Sequence, residues 1–289
     1  MSRLYETLRR MELQRGKSDP VQIAALQPVD LVNSAMAPPT EIEGARKATI
    51  EMNPSSRLVA MTDPRGLGAE KFRALVTRLD HQRKERELRS MQITSAIVNE
   101  GKTLVSGNLA VTLAKHTGAR ILVVEGDLHR PMLASLFGLG QIEGLGHWWS
   151  AREEQERISN YIYRLNDLPL WFLGAGVSSD QPSQILQSAR FAETFVRLAS
   201  AFDWVVVDSV PILPMVDANL WSRLVDGTIL VVREGVTPTR ALKKAFESLD
   251  NPKLVGMILN EASEYDRTNY ADQYYALDSP QKNIRPVKQ

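Results

Sequence analysis

The stretch Gln92-Ile93-Thr94-Ser95-Ala96-Ile97-Val98-Asn99-Glu100-Gly101-Lys102-Thr103 decides the fold. It reads as a β-strand, a tight loop closing on Gly-Lys-Thr, and then a helix. In such a loop successive backbone N–H groups and a helix start converge on a phosphate, while the lysine reaches the outer phosphates and the threonine hydroxyl ligates Mg²⁺. The usual opening glycine of GxxxxGK[ST] is Ala96 here. Gly-Lys-Thr alone is weak support, so the assignment also needs the strands downstream.

Two further strands end in carboxylates. Ile121-Leu122-Val123-Val124 is a continuous apolar run, the pattern of a strand buried on both faces of a parallel sheet, and it runs into Glu125-Gly126-Asp127. Trp204-Val205-Val206-Val207 is another, ending in Asp208. Ligands of open α/β sheets sit at the carboxyl ends of the strands. Lys102, Thr103, Asp127 and Asp208 are therefore expected around one site, which suits phosphoryl transfer: a cationic clamp, metal ligands and a candidate base. A lone Asp is more often a solvated loop residue or a helix cap; three strand ends in this order argue otherwise.

Composition narrows the alternatives. The chain has 289 residues, 43% hydrophobic, enough for one large α/β domain plus an extension. Its formal net charge of +1 provides no field to recruit nucleic acid or acidic lipid. With no cysteine there are no disulfides or thiolate metal sites, and the four histidines lack metal-ligand spacing. The N-terminus lacks the apolar core of a signal peptide, and no apolar run approaches the roughly 18 residues of a spanning helix. A cytoplasmic protein is expected, one that meets a membrane only through a partner.

Residues 2–15 read as a short amphipathic helix with Leu4, Leu8 and Met11 on one face, and residues 16–56 as a largely disordered linker. Residues 57–61 suggest a short strand or extended lead-in. Helices are expected over 68–89, 103–116, 188–201 and 237–249, with a shorter one near 131–137, and further strands over 170–173, 227–232 and 254–259. Strand alternating with helix at this spacing means a doubly wound parallel sheet. The basic run at 83–89 is interleaved with Glu85 and Glu87 and reads as a solvated helix end. The segment 261–289 is polar and holds Tyr265, Tyr270, Tyr274 and Tyr275, four of the chain's seven tyrosines.

From Arg57 to Asn260 the chain resembles the bacterial tyrosine autokinases of capsule and exopolysaccharide export (BY-kinases), in their stand-alone, CpsD/CapB-like cytoplasmic form. The resemblance rests on Asp63-Pro64 with Ala69-Glu70-Lys71-Phe72-Arg73-Ala74-Leu75, on the Walker A loop at Glu100-Gly101-Lys102-Thr103, on Asp127-Leu128-His129-Arg130-Pro131, and on the Walker B strand Phe202-Asp203-Trp204-Val205-Val206-Val207-Asp208-Ser209. Asp217, Val225-Asp226-Gly227 and Val232-Arg233 also fall where the family has them. It implies a P-loop NTPase domain of MinD/ParA type over 57–260, using ATP and Mg²⁺. Asn99, Glu100, Gly101, Lys102, Thr103 and Leu104 would surround the phosphates, with Asn260 placed to read adenine. Lys102, Asp127 and Asp208 would be catalytic, and Thr103, Asp127 and Asp208 would hold Mg²⁺. It further implies autophosphorylation in trans at Tyr265, Tyr270, Tyr274 and Tyr275, rings assembled through the helix carrying Glu70 and Arg73, and a transmembrane polysaccharide co-polymerase (a Wzz-like activator) recruiting the protein to the inner face of the cell membrane.

Four departures fall near the implied site or interface. Val98-Asn99 replaces Pro-Gly, and Asn is the non-glycine residue that best tolerates a left-handed backbone. Glu125 replaces an aspartate and carries its carboxylate one methylene further, which is expected to perturb metal geometry. His129 replaces an arginine, and Val76 stands where the ExxRxxR interface motif ends in arginine. Two alternatives stay open: a degenerate ATP-binding regulatory partner of polysaccharide export, and another MinD/ParA-type ATPase. The second lacks its signature lysine, since that position is Ile97.

Overall fold

The computed structural model describes residues 45–51, 56–151, 156–176, 182–249 and 253–262. Eight strands form one sheet: β1 (Arg46–Ala48), β2 (Ser90–Ser95), β3 (Ile121–Glu125), β4 (Ile162–Leu165), β5 (Leu170–Leu173), β6 (Trp204–Asp208), β7 (Gly227–Arg233) and β8 (Leu254–Asn260), in the order β1-β4-β5-β3-β6-β2-β7-β8. Every neighbouring pair is parallel except β4 with β5. The strands read from apolar runs, β3 and β6, lie side by side at the centre and are buried throughout.

Alternate residues of those strands feed two cores, as the two-residue period of a strand requires. On one face Ile93, Val123 and Val206 pack with Val76 and Leu79 of α2 (Leu67–Glu85) and with Leu109 and Leu113 of α3 (Lys102–Thr117). On the other, Leu122, Val124, Val205 and Val207 meet Phe191, Phe195 and Leu198 of α7 (Ala189–Ser200) and Trp221 of α8 (Asp217–Leu224). The hydroxyl of Ser188 caps α7 by accepting from Phe191 N–H at 3.1 Å. A third cluster joins Leu230 and Val232 of β7 to Leu242 and Ala245 of α9 (Thr239–Ser248). The doubly wound sheet stands as expected.

Several elements differ from the sequence reading. Residues 57–61 are not a strand: α1 (Val59–Thr62) forms there because Asn108 of α3 grips the turn, accepting from Ala60 N–H at 3.1 Å and donating to Arg57 O at 2.9 Å. The long helix stops at Glu85 rather than near residue 89. Strand β1 lies inside the stretch read as linker, and β4, antiparallel to β5, is a further addition; β1 is the edge strand with β4 next to it, and both are too short to show a period. The helices α4 (Leu133–Leu136), α5 (Leu145–Ser150) and α6 (Pro182–Gln187) complete the fold. The expected helix at 2–15, the linker up to residue 44, and Tyr265, Tyr270, Tyr274 and Tyr275 lie outside the described residues. Among the described residues no helix is long and apolar enough to cross a membrane.

Candidate active site

The loop after β2 is built around two left-handed residues, Asn99 (φ 64°) and Gly101 (φ 92°). The left-handed backbone of Gly101 favours glycine, and a Cβ there would sit 2.1 Å from Asn260 Nδ2 and push that side chain aside. Ala96, in place of the opening glycine, needs no positive φ and is fully buried. The Glu100 carboxylate turns inward: one oxygen accepts from Ile97 N–H at 2.8 Å and the other bonds the Thr237 hydroxyl. Any contact of Glu100 with a phosphate is therefore left to its backbone. Asn260 donates from Nδ2 to Glu100 O at 2.9 Å and so closes the loop from the end of β8. Arg233 ties the loop from outside through Asn99 O, at 3.3 Å, and pairs with Glu261.

The first backbone bond of α3 is Val105 N–H to Gly101 O, so the N–H groups of Lys102, Thr103 and Leu104 open toward the loop. Together with the helix dipole they make an anion site. Lys102 Nζ lies 2.9 Å from Asp127 Oδ2 and 3.4 Å from Thr103 Oγ1. The other oxygen of Asp127 accepts from Arg130 N–H at 2.9 Å. Gly126 brings that loop close, because a Cβ there would lie 2.7 Å from Val207 and 2.9 Å from the Trp221 indole. Gly126 N–H donates to Asp208 O, and Trp221 Nε1–H donates to Gly126 O.

Asp208 is fully buried, and burial pushes its carboxyl up to about 6 against the opposing pull of Lys102, Thr103 and Ser106. Ser106 Oγ donates to Oδ1 at 3.1 Å, whereas Oδ2 is buried with no hydrogen-bond partner. A buried unpartnered carboxylate oxygen beside a threonine hydroxyl fits a divalent cation. Among the described residues no group of three or more His, Cys, Asp or Glu forms a self-sufficient metal cage. That donor set suits Mg²⁺, which binds through one or two protein oxygens plus phosphate and water.

The Glu125 carboxylate accepts from Leu133 N–H (2.7 Å), Ala134 N–H (3.0 Å) and Ala175 N–H (3.0 Å), so it holds the start of α4 and the turn after β5. It stands opposite Asp208 in the register of β3 and β6. His129 Nε2 lies 2.7 Å from Oδ2 of Asp217, whose other oxygen bonds the Ser183 hydroxyl. Val76 is buried in the core, and Arg73 pairs with Glu70 on its own helix. The structure thus brings Lys102, Thr103, Asp127 and Asp208 together and places Asn260 against the loop. Sequence reading misses Ser106, Thr237 and Ser183. Of these, only Ser106, one helical turn after Lys102, carries a local signal.

No protein-family model matches the chain. Tyrosine-protein kinase YwqD of Bacillus subtilis is 31% identical over 205 residues, covering 70% of this chain and 85% of that protein. The succinoglycan biosynthesis transport protein ExoP of Rhizobium meliloti is 31% identical over 237 residues, 78% of this chain but 29% of that protein. Among solved structures, the chimerical protein CapA2B2 superposes with a TM-score of 0.64 at 26% identity, covering 76% of this chain and 95% of its own. With the phosphate loop, two strand-end carboxylates and the doubly wound sheet already in place, these likenesses show that the chain belongs to the bacterial tyrosine-protein kinase family.

Proposed function

We propose that the chain transfers the terminal phosphoryl group of ATP to tyrosine hydroxyls in its own segment 261–289, in the control of exopolysaccharide or capsule synthesis. The observation that carries this is the Lys102–Asp127 pair beside the buried Asp208 at the ends of adjacent strands. Lys102 and the N–H groups of residues 102–104 would bind the phosphates. Thr103 and Asp208 would hold Mg²⁺, with Asp127 at its edge, and the ion neutralises charge on the phosphates when bound. A phosphate that draws Lys102 away frees Asp127 Oδ2 to accept the tyrosine proton as the oxygen bonds to phosphorus and ADP departs. Both Asn99 and Glu125 are accommodated without loss of these groups, which favours an active enzyme over a degenerate one.

The relative named for succinoglycan biosynthesis transport supports the polysaccharide setting. A transmembrane co-polymerase would be the activator and would recruit the chain to the inner membrane face. Self-association in trans would use the exposed Glu70–Arg73 surface of α2, because Val76 is committed to the core.

The test is incubation of the full chain with Mg-ATP, with and without the cytoplasmic segment of a co-polymerase, followed by phosphosite mapping. Phosphate on Tyr265, Tyr270, Tyr274 or Tyr275 that disappears in Lys102→Ala and Asp127→Ala is the expected result. Phosphate surviving in the variant with all four tyrosines changed to Phe would overturn the tail assignment. Intact ATP binding with no transfer, even with activator, would overturn the kinase reading in favour of a regulatory ATP-binding protein.

A further inference from the structure

We propose that His129 is a positioning residue for Asp127, acting through the buried Asp217. This rests on the reading of Asp127 as the group that receives the tyrosine proton.

The loop from Gly126 to Met132 is fixed at both ends. At its start Gly126 is held by Asp208 O and the Trp221 indole; at its finish Leu133 and Ala134 are held by Glu125. Between them the chain is exposed, from His129 through Met132. Among the described residues, His129 to Asp217 is the one side-chain hydrogen bond that ties this middle section to another element. Asp127 lies two residues before it. The internal bond from Arg130 N–H to Asp127 shapes the turn, and its outside tie runs through Asp127 to Lys102, the contact that a phosphate would break.

Asp217 is built as an anchor. It is the first residue of α8, where the helix dipole favours a carboxylate, and its side chain is 2% exposed. Its two oxygens take one partner each, His129 from the loop and Ser183 from α6. The carboxylate sits between serine and histidine, so the histidine does not face the hydroxyl and the trio is no nucleophile relay. His129 meets Asp217 from α8, with neutral Ser183 of α6 behind it, and Asp127 and Arg130 neighbour it along its own loop. Loss of the imidazole leaves a buried carboxylate oxygen unpaired. The loop then shifts to repair that loss, and it carries Asp127 with it. Misplacement by an ångström costs on the order of 100-fold in rate.

The experiment uses the full chain with Mg-ATP and the activator segment. His129→Ala and Asp217→Asn should each lower kcat by about 10- to 100-fold with KM for ATP within about twofold. The double variant should be no slower than the worse single one. His129→Gln and His129→Arg, which restore an N–H donor, should recover most of the rate and guard against a folding artefact. An activity-independent reading comes from the Trp221 indole N–H resonance, assigned with Trp221→Phe, which should shift in His129→Ala and return in His129→Gln. Additive losses, a raised KM for ATP at unchanged kcat, or an unmoved indole signal would overturn the proposal. Phosphorylation surviving Asp127→Ala would instead overturn the role of Asp127, whether or not the indole signal moves.

Discussion

At Asp208 burial opposes the charge that a cation would need. Its carboxyl sits at about 6 in the folded protein against an ordinary value of 3.8, so the folded state holds the extra proton between those values. Stability therefore falls as pH rises through that window, by up to about 3 kcal/mol, and the penalty persists at neutral pH without a cation. Asp208→Asn is expected to raise the melting temperature of nucleotide-free protein at pH 7–8, to change it little at pH 4, and to abolish phosphoryl transfer. A melt at the two pH values, with and without Mg-ATP, checks the first two, and phosphosite mapping the third. The charged residues were legible because the Gly-Lys-Thr motif and the strand-end carboxylates spell them locally. Thr237 was not, since its bond to Glu100 joins residues 137 apart in the chain. The left-handed Asn99, with φ 64°, was legible through its residue type alone.

At the scale of elements, the Glu125 carboxylate holds α4 and the Ala175 turn through three backbone N–H groups. Shortening it in Glu125→Asp cannot keep all three backbone donors, and a loss of about 1–3 kcal/mol is expected from the unpaired N–H groups. Urea unfolding should register that loss while Mg-ATP affinity stays nearly constant. Restoring the family's arginine by Val76→Arg should not rebuild an interface. It puts a charge into the core shared by α2 and α3, so the protein should melt far lower or fail to fold, with no gain of oligomer by sedimentation. The long helices were readable from periodicity, whereas α1 depends on Asn108, 48 residues from Ala60 in the chain, and β1 on pairing with β4. Nothing within three or four residues announces either.

At the scale of the molecule, the order β3-β6-β2 gathers the strand ends that carry Asp127, Asp208 and the Gly-Lys-Thr loop, and that order comes from pairings no local pattern contains. The doubly wound class was legible from alternation; the antiparallel pairing of β4 with β5, and the edge strand β1 beyond it, were not. The opposite edge matters more for function. Strand β8 supplies Asn260, which fills the space beside Gly101 and holds Glu100 O. Truncation after Ala262 should leave the melting temperature and ATP affinity close to those of the full chain. Truncation before Leu254 should expose β7 and abolish nucleotide binding, as measured by calorimetry.

The clasp between Asn260 and Glu100 spans 160 residues of chain. During synthesis the phosphate loop leaves the ribosome long before the strand that completes it. The nascent chain thus has its Gly-Lys-Thr early but cannot form this clasp until β8 emerges, so the loop is completed late, after every other strand of the sheet has been translated.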